Sequence, residues 1–385
     1  ELPEEYDPAL KDLTIYHLLT MQAGSKECCN NVWFSRLEKE WETNWLKQPK
    51  IREDIGKAFH YDSGCSYTLS RIITKVMGKN CLAIMQERVF DKMGFGKINW
   101  LTSPEGHNTG GWGMYLTANQ ISALAQLLVQ KGKWNGEQLI PEWRVEEMSK
   151  MRVEIPEDKK KALTHYAYHI KAGKEIFAAE GAFGQYLICF RDYPVAIGIT
   201  AGASEYLAAD ICLKYIKEAI QIPCAKEKLD EAQEQLEEKV AHLTLTEPEG
   251  DRKKTDKATE KLLDKTIVFT ENPRQIESAQ ISKYGDELKL VLTVDGEKKV
   301  LFAGYKNWKC NDMYPNDFTR RYHAISYAFD EDALYISVGL LNTSYREEYC
   351  LWVNSEDVVV GTWRPNVTYL PAEENMTWKF TGTFA

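Results

Sequence analysis

Beyond Lys265 the chain is predicted to be almost entirely β, and this series of short strands constrains the fold more than any other feature. Short runs of residues that favour β-structure, bounded by turn residues, are typical of β-strands. The candidate strands are 266–271, 276–283, 287–294, 298–303, 323–329, 333–340, 348–354, 357–363 and 376–382. Asp295-Gly296 separates two of them and favours a two-residue hairpin turn. Many short strands at even spacing predict an all-β antiparallel domain, either a barrel or a sandwich.

A second β-rich region begins at His165, after a largely helical first part. Its consecutive antiparallel strands are predicted at 165–171, 175–180, 185–191 and 194–201. The third and fourth are almost continuously apolar, so we expect both to be central and covered. A helix from Glu205 to Ala219 follows and is expected to cover them. The fold class predicted for the whole chain is therefore α+β, with the all-β domain at its end.

The composition changes at Pro223, where the chain becomes rich in charge. Between Ala225 and Leu243 three leucines recur every seven residues, which fits a solvated helix with one apolar stripe or a short coiled coil. Three heptads are marginal for a coiled coil, so the solvated helix is favoured, and self-association through it stays an alternative. The predicted domains are 1–222, a charged helix and linker at 223–264, and a β-domain at 265–385.

Composition also excludes several classes of function. The net charge is −9, so no basic surface is available to replace the counterions of nucleic acid phosphates. No run of about 18 apolar residues predicts a membrane span. The nine cysteines are scattered without C-x-x-C spacing, which favours reduced thiols in a cytoplasmic protein over disulfides or a zinc site. We predict no metal and no other cofactor.

The stretch from Phe59 to Gly78 is the first candidate for a functional site. It opens with the polar run Tyr61-Asp62-Ser63-Gly64, which favours a turn, and continues as an amphipathic helix from Tyr67. The tyrosine hydroxyl is thus presented on a short loop that a buried helix supports, an arrangement that suits a catalytic phenol. A surface turn before a core helix is the alternative.

Two other segments have two possible explanations each. The segment from Cys28 to Lys50 is rich in tryptophan at roughly helical spacing, which favours packing on the core over the roof of a pocket. The segment from Gly106 to Gly113 is dense in glycine, which lets the backbone pass close to another backbone or to a ligand.

Four runs together resemble a known family in their order and spacing. They are LTIYHLLTM at 13–21, the Phe59–Gly78 stretch, GGWGMYLT at 110–117 and WNGEQLIP at 134–141. They are similar to the serine hydrolases related to class C β-lactamases and DD-peptidases, over roughly residues 10–222. The resemblance implies a β-lactamase-like antiparallel sheet with helices, and an activity that proceeds through an acyl-enzyme.

The resemblance also assigns roles to four residues. In that family a serine of a Ser-x-x-Lys motif attacks an acyl carbon, and a lysine and a tyrosine handle its proton. Tyr61 matches the tyrosine, while Ser63 stands where asparagine is usual and still offers a hydrogen-bond donor. Gly184 and Gln185 lie in the matching third motif and are expected to form the edge of an oxyanion hole. This motif lacks the usual basic and hydroxyl residues, which puts recognition of a substrate carboxylate in doubt.

The sequence contains neither Ser-x-x-Lys nor Gly-x-Ser-x-Gly. In the family the nucleophile precedes the first of the four runs, so we expect it upstream of Glu1, together with the first helix and the leading strands of the sheet. The predicted function is a serine hydrolase acting on an ester, amide or other small or peptide-like substrate, with a separate N-terminal piece as a further expected partner. The alternative is a catalytically inactive binding or scaffold protein with the same fold.

Overall fold

The computed structural model describes residues 6–25, 28–48, 55–156, 162–203, 208–222, 228–251, 253, 255, 257, 259–311, 322–368 and 376–385. The chain divides into two compact units. The first consists of Glu1–Thr200 and Tyr206–Gln221, and the second of Ala201–Glu205 and Ile222–Ala385. Each unit has hydrophobic cores of its own.

The first unit begins with a 3-10 helix, Pro8–Asp12, and its α-helices are short except for three. They are α1 (Ile15–Leu19), α2 (Asn31–Ser35), α3 (Trp41–Lys47), α4 (Ser63–Met77), α5 (Cys81–Met85), α6 (Ala118–Val129), α7 (Glu142–Met148) and α8 (Ala208–Ile220). Helix α5 continues into a π-helical turn at Gln86–Phe90. Helix α4 ends at Gly78, whose φ of 66° is easily reached only by glycine.

The strands of the first unit are also short. They are β1 (Asn99–Trp100), β2 (Met114–Tyr115), β3 (Lys133–Trp134), β4 (Glu137–Gln138), β5 (Val153–Glu154), β6 (His165–Tyr166), β7 (Lys171–Ala172), β8 (Ile176–Gly181), β9 (Gln185–Phe190) and β10 (Ala196–Ile199). Strands β10-β9-β8-β7-β6-β5, in this order, form one antiparallel sheet. The predicted strand 165–171 is thus two strands, β6 and β7, with a turn between them.

Helices cover both faces of this sheet. Of the two strands that were predicted to be central, β9 lies inside the sheet, whereas β10 is its edge strand, because within the described residues β10 pairs only with β9. Along β9, Cys189 packs with Ala125 of α6, whereas Ile188 packs on the opposite face with Ala209 of α8. Successive residues of a strand point to opposite faces, so an uninterrupted apolar run is what a strand covered on both sides requires. Residues 205–207, the first of the helix that was predicted from Glu205 to Ala219, lie outside the described residues.

Within its described residues, the second unit contains one α-helix, α9 (Leu229–Ala241), a 3-10 helix, Thr259–Leu262, and a large antiparallel β-domain. No side chain of α9 is buried, which agrees with the solvated helix; residues 223–227, where the predicted helix and linker begin, lie outside the described residues. The strands are β11 (Thr266–Phe269), β12 (Ile276–Tyr284), β13 (Glu287–Val294), β14 (Glu297–Tyr305), β15 (Lys309–Asn311), β16 (His323–Phe329), β17 (Ala333–Leu340), β18 (Arg346–Val353), β19 (Val359–Pro365) and β20 (Trp378–Phe384).

The β-domain is a closed barrel. Sheet order is β14-β13-β12-β11-β20-β19-β18-β17-β16, and a short parallel pairing of β14 with β16 closes it into nine strands. Strand β15 adds to β16 beside this closure. The predicted α+β class is confirmed, and of the two predicted all-β forms the barrel is the one observed. Within the described ranges, every helix is too short or too polar to cross a membrane.

Candidate active site

The beginning of α4 is held by one buried carboxylate. This helix begins at Ser63 and not at Tyr67 as predicted, because Asp62 caps it. None of the surface of Asp62 is exposed. Its Oδ1 accepts the N–H groups of Gly64, at 2.8 Å, and Cys29, at 3.1 Å. Its Oδ2 accepts the indole N–H of Trp45, at 2.7 Å, and the hydroxyl of Ser25. A buried carboxylate is tolerated only with such compensation, so four donors fix the position of this turn.

Tyr61 and Ser63 flank this anchor and differ in accessibility. Tyr61 is 45% exposed, whereas only 6% of Ser63 is exposed. Tyr61 lies near the buried Tyr166 of β6, where burial raises the pKa of the Tyr166 phenol well above its ordinary value and Tyr61 acts in the same direction. The phenol of Tyr61 is therefore presented to the surface directly beside Asp62, which is completely buried.

Cys28 is a neighbour of Ser63 that the sequence did not single out. The backbone and the side chain of Ser63 both act on the Cys28 thiol. Burial of the sulfur raises the pKa of Cys28, and the neighbouring Ser63 lowers it. The eight described cysteines, Cys28 included, carry free thiols.

The tryptophan-rich segment packs against the core behind this turn, as predicted. Trp45 is fully buried, and its ring lies on Gly64 so closely that a Cβ added there would come within 2.0 Å of Nε1. Trp41 stacks on Trp112 with ring centroids 5.8 Å apart. The fully buried Phe34 lies 5.3 Å from Trp112. The aromatic cluster is a support for the first turn of α4.

The glycine-rich loop passes close to the backbone of α4. A Cβ on Gly110 would lie 2.3 Å from the carbonyl oxygen of Ser66, and the φ of Gly110 is 75°. A Cβ on Gly111 would lie 3.3 Å from Cβ of Ser63. Of the two explanations for the glycines, close approach to another backbone is thus the one that the described contacts support.

A buried histidine also contacts the first turn of α4. His169 lies between β6 and β7 with a φ of 55°, and its backbone N–H donates to the carbonyl of Leu19 at 3.0 Å. Its Nδ1 is 3.4 Å from Oγ of Ser66. Among the described residues its buried Nε2 has no hydrogen-bond partner, and burial lowers the pKa of His169 to about 4. The imidazole is therefore neutral near pH 7. No motif in the sequence points to it.

Gly184 and Gln185 belong to the hairpin between β8 and β9. Gly184 has a φ of 86°, and its N–H donates to the carbonyl of Gly181 at 3.3 Å. The side-chain amide of Gln185 donates to the carbonyls of Phe183, at 3.3 Å, and Ala182, at 3.4 Å. These bonds stabilise a tight turn in which Phe183 also has a positive φ, of 62°.

The register of the sheet places this hairpin and the His169 turn at the same end. Tyr166 pairs with Lys171, and Lys171 pairs with Ala178 on β8, so the last residues of β8 extend towards the turn that contains His169. Lys171 is ion-paired there with Glu180, whose side chain is 6% exposed. Gly184 and Gln185 therefore lie at the same end of the sheet as His169, which contacts Ser66 of α4. Tyr61 lies near Tyr166 of β6 in the same sheet.

This end of the sheet offers hydroxyl, phenol, imidazole and backbone amide groups. Such groups transfer protons and bind oxyanions. Among the described residues, no three histidine, cysteine or acidic side chains lie close enough together to hold a metal ion.

Comparison with known proteins identifies one family. The model of the family described as Beta-lactamase matches residues 2–211. No curated protein is significantly similar to this chain in sequence.

Several solved structures resemble the chain at low sequence identity. A protein assigned as a 6-aminohexanoate-dimer hydrolase from Bacillus anthracis has 16% identity and a TM-score of 0.40, over 58% of this chain and 59% of that one. An octameric penicillin-binding protein homologue from Pyrococcus abyssi has 11% identity and a TM-score of 0.43, over 98% of this chain and 82% of that one. D-amino acid amidase from Ochrobactrum anthropi SV3 has 14% identity and a TM-score of 0.41, over 55% and 79%.

Proposed function

This chain belongs to the Beta-lactamase family, whose model matches more than half of its 385 residues. On that basis we propose that it forms part of a serine hydrolase that works through an acyl-enzyme. The substrate is an ester, an amide or a peptide-like molecule. The attacking serine comes from polypeptide outside these 385 residues, because no Ser-x-x-Lys motif occurs in them.

The observation that supports this proposal is the contrast between Tyr61 and its neighbour. Tyr61 is 45% exposed, whereas Asp62 is completely buried and accepts four hydrogen bonds. A catalytic group needs access to the substrate and a fixed position, and a rigid support behind an exposed phenol provides both.

In the proposed reaction Tyr61 carries the proton. As the serine oxygen bonds to the carbonyl carbon, its proton passes to the Tyr61 phenolate, which then donates it to the leaving nitrogen or oxygen as that bond breaks. A phenol has an ordinary pKa of about 10, so the phenolate needs a neighbouring ammonium, which the lysine of the Ser-x-x-Lys motif would supply. Water then attacks the acyl carbon and gives a proton to the same phenolate, which passes it to the serine oxygen as the bond between that oxygen and the acyl carbon breaks.

We further propose supporting roles for the other predicted residues. Ser63, which is mostly buried beside Cys28, positions the turn and offers its hydroxyl to the substrate. Gly184 and Gln185 form the edge against which the substrate carbonyl lies. Lys171 is already paired with the buried Glu180, which supports a substrate without a carboxylate at this edge.

A fluorophosphonate probe tests the proposal, because it labels only activated serines. We expect the 385-residue chain alone to stay unlabelled and the complete gene product, purified from its own source, to be labelled at a Ser-x-x-Lys serine. Tyr61→Phe should slow labelling by about 100-fold, since a positioned proton carrier contributes about 10²–10⁴ to the rate. Tyr215→Phe is the matched control, because Tyr215 is 59% exposed on α8. Labelling of a serine within the 385 residues would contradict the proposal.

The second candidate is a catalytically inactive binding or scaffold protein. The absence of Ser-x-x-Lys and Gly-x-Ser-x-Gly from the sequence favours it. If the complete gene product also resists the probe while it binds a peptide-like ligand, this second function replaces the first.

A further inference from the structure

The barrel of the second unit encloses a large cavity. Its volume is about 780 Å³, within the range of roughly 300–1,000 Å³ that is usual for small-molecule sites. Most of the side chains that line it are aliphatic or aromatic, among them Ile276, Leu292, Val338 and Trp363. A closed barrel of about this number of strands is just wide enough to hold one small ligand.

The cavity occupies one end of the barrel, and packed side chains fill the other. Phe329 at the end of β16 and Leu334 at the start of β17 are fully buried in the core, together with Leu262 from the 3-10 helix Thr259–Leu262. His323 and Leu340, at the opposite ends of the same two strands, line the cavity. The same barrel therefore has a solid core for stability and a separate space that the described side chains leave unfilled.

One polar cluster faces this apolar space. Glu347, which is 3% exposed, accepts a hydrogen bond of 2.7 Å from the hydroxyl of Tyr349 and forms an ion pair with Arg274. The guanidinium of Arg274 lies 5.3 Å from the ring centre of Trp363. Burial raises the pKa of Tyr349 to about 12, so its phenol stays protonated and remains a donor near pH 7. All four residues line the cavity.

The charges of the cluster select among ligands. The guanidinium and the carboxylate neutralise each other, so the cluster has no net charge. A ligand carboxylate would compete with Glu347 for Arg274 and would bring a second negative charge beside it in a medium of low dielectric constant. The other charged side chains that line the described cavity, Glu297 and Lys299, are of opposite sign and exposed on β14. A neutral hydroxyl or carbonyl group meets no such repulsion.

We propose that the barrel binds an uncharged, mainly apolar small molecule, such as a long-chain alcohol, whose single polar group lies against Arg274, Glu347 and Tyr349. The apolar part fills the cavity, where burial of its surface drives binding. The polar group exchanges hydrogen bonds with a cluster that is already neutral. This site is independent of the proposed hydrolase activity.

The test compares two ligands of equal chain length on the whole 385-residue chain. Dodecan-1-ol and dodecanoate, each at about pH 8, compete with the uncharged dye Nile red. We expect dodecan-1-ol to displace the dye at a concentration at least about tenfold lower than dodecanoate. Glu347→Gln frees Arg274 for a ligand carboxylate, so this variant should lose the preference or reverse it.

Two matched valine substitutions test whether the dye and the alcohol occupy the cavity. Val338→Trp fills space that lines the cavity, whereas Val300, on β14, is 47% exposed and its replacement by tryptophan serves as the control. Val338→Trp should abolish displaceable dye binding, and Val300→Trp should leave it unchanged. Equal or tighter binding of dodecanoate by the unaltered chain would overturn the proposal and needs no variant to fold. Unchanged binding in a folded Val338→Trp variant would overturn it as well.

Discussion

Replacing Asp62 by asparagine tests whether this carboxylate holds the candidate site in place. In the unaltered protein the N–H groups of Gly64 and Cys29 both donate to Oδ1 of Asp62. The side-chain oxygen of asparagine can still accept both. The new amide nitrogen would take the place of Oδ2 and face the indole N–H of Trp45, so that two donors oppose each other. The hydroxyl of Ser25 can turn and accept instead of donating.

The cost of Asp62→Asn follows from these contacts. A buried donor left without an acceptor costs about 1–3 kcal/mol, and the bonds that remain lose the strength that the charge gave them. We therefore expect the free energy of unfolding of the first unit to fall by about 2–4 kcal/mol. Asp62→Ala removes all four bonds and should cost more than Asp62→Asn, about 4 kcal/mol or above.

Asp7→Asn is the matched control. Asp7 is also a mostly buried N-cap, 8% exposed, and accepts the N–H of Ala9 at 2.9 Å. Asparagine caps a helix about as well as aspartate, so this variant should lose less than about 1 kcal/mol. Native-state hydrogen exchange, measured on peptides from α4, reports the stability of the first unit without a contribution from the barrel. Equal losses in the Asp62→Asn and Asp7→Asn variants would refute the reasoning.

Three further predictions concern the stability of the first unit. Gly64→Ala should lower the free energy of unfolding by about 1–3 kcal/mol, because the new Cβ would clash with the buried ring of Trp45. Hydrogen exchange of α4 measures this loss. An unchanged free energy of unfolding would show that the ring can move aside. Thr117→Ala should lower the free energy of unfolding by about 1 kcal/mol, because the side chains of Thr117 and Gln120 cap α6 reciprocally. Urea unfolding measures this loss, and Thr117→Ser should keep most of the stability of the unaltered protein. The pKa of His169 is lowered to about 4 in the folded protein, and the unfolded chain takes up this proton near pH 6.5. Its contribution to stability is thus complete above that pH and declines as the pH falls, by about 2 kcal/mol between pH 7 and pH 5. Unfolding measured at both pH values should show a smaller difference in His169→Gln.

Local sequence patterns predicted the strands of the barrel well because each strand is itself a local pattern. The prediction for 333–340 coincides with β17, and Asp295-Gly296, with φ of 52° and 73°, forms the expected hairpin turn. Strand β15 was missed because three residues are too few to show a period, and its partner β16 defines it. Closure depends on the contact of β14 with β16, which no periodicity encodes. The sequence therefore left barrel and sandwich as alternatives.

The predicted strand at 165–171 shows how a tertiary contact can override a local pattern. The residues there favour one continuous strand, yet the backbone reverses direction at His169, whose φ is 55°. The N–H of His169 donates to the carbonyl of Leu19, which lies far from it in the sequence. Ser66 is also within reach of its imidazole. Neither partner could be found from the residues around position 169.

Tyr61 could be proposed as a candidate from the sequence, whereas the group that fixes its position could not be found there. A turn before an amphipathic helix is visible within a few residues, but the donors to Asp62 include Trp45, Cys29 and Ser25, which are 17, 33 and 37 residues away. Each of these donors is itself buried, so the carboxylate and its partners compensate one another's loss of water and form a single unit. Trp45 illustrates the consequence, because its ring packs in the core as predicted while its N–H fixes the turn that bears the phenol. A substitution at Trp45 should therefore affect the candidate site as strongly as one beside Tyr61, although the two residues are far apart in the sequence.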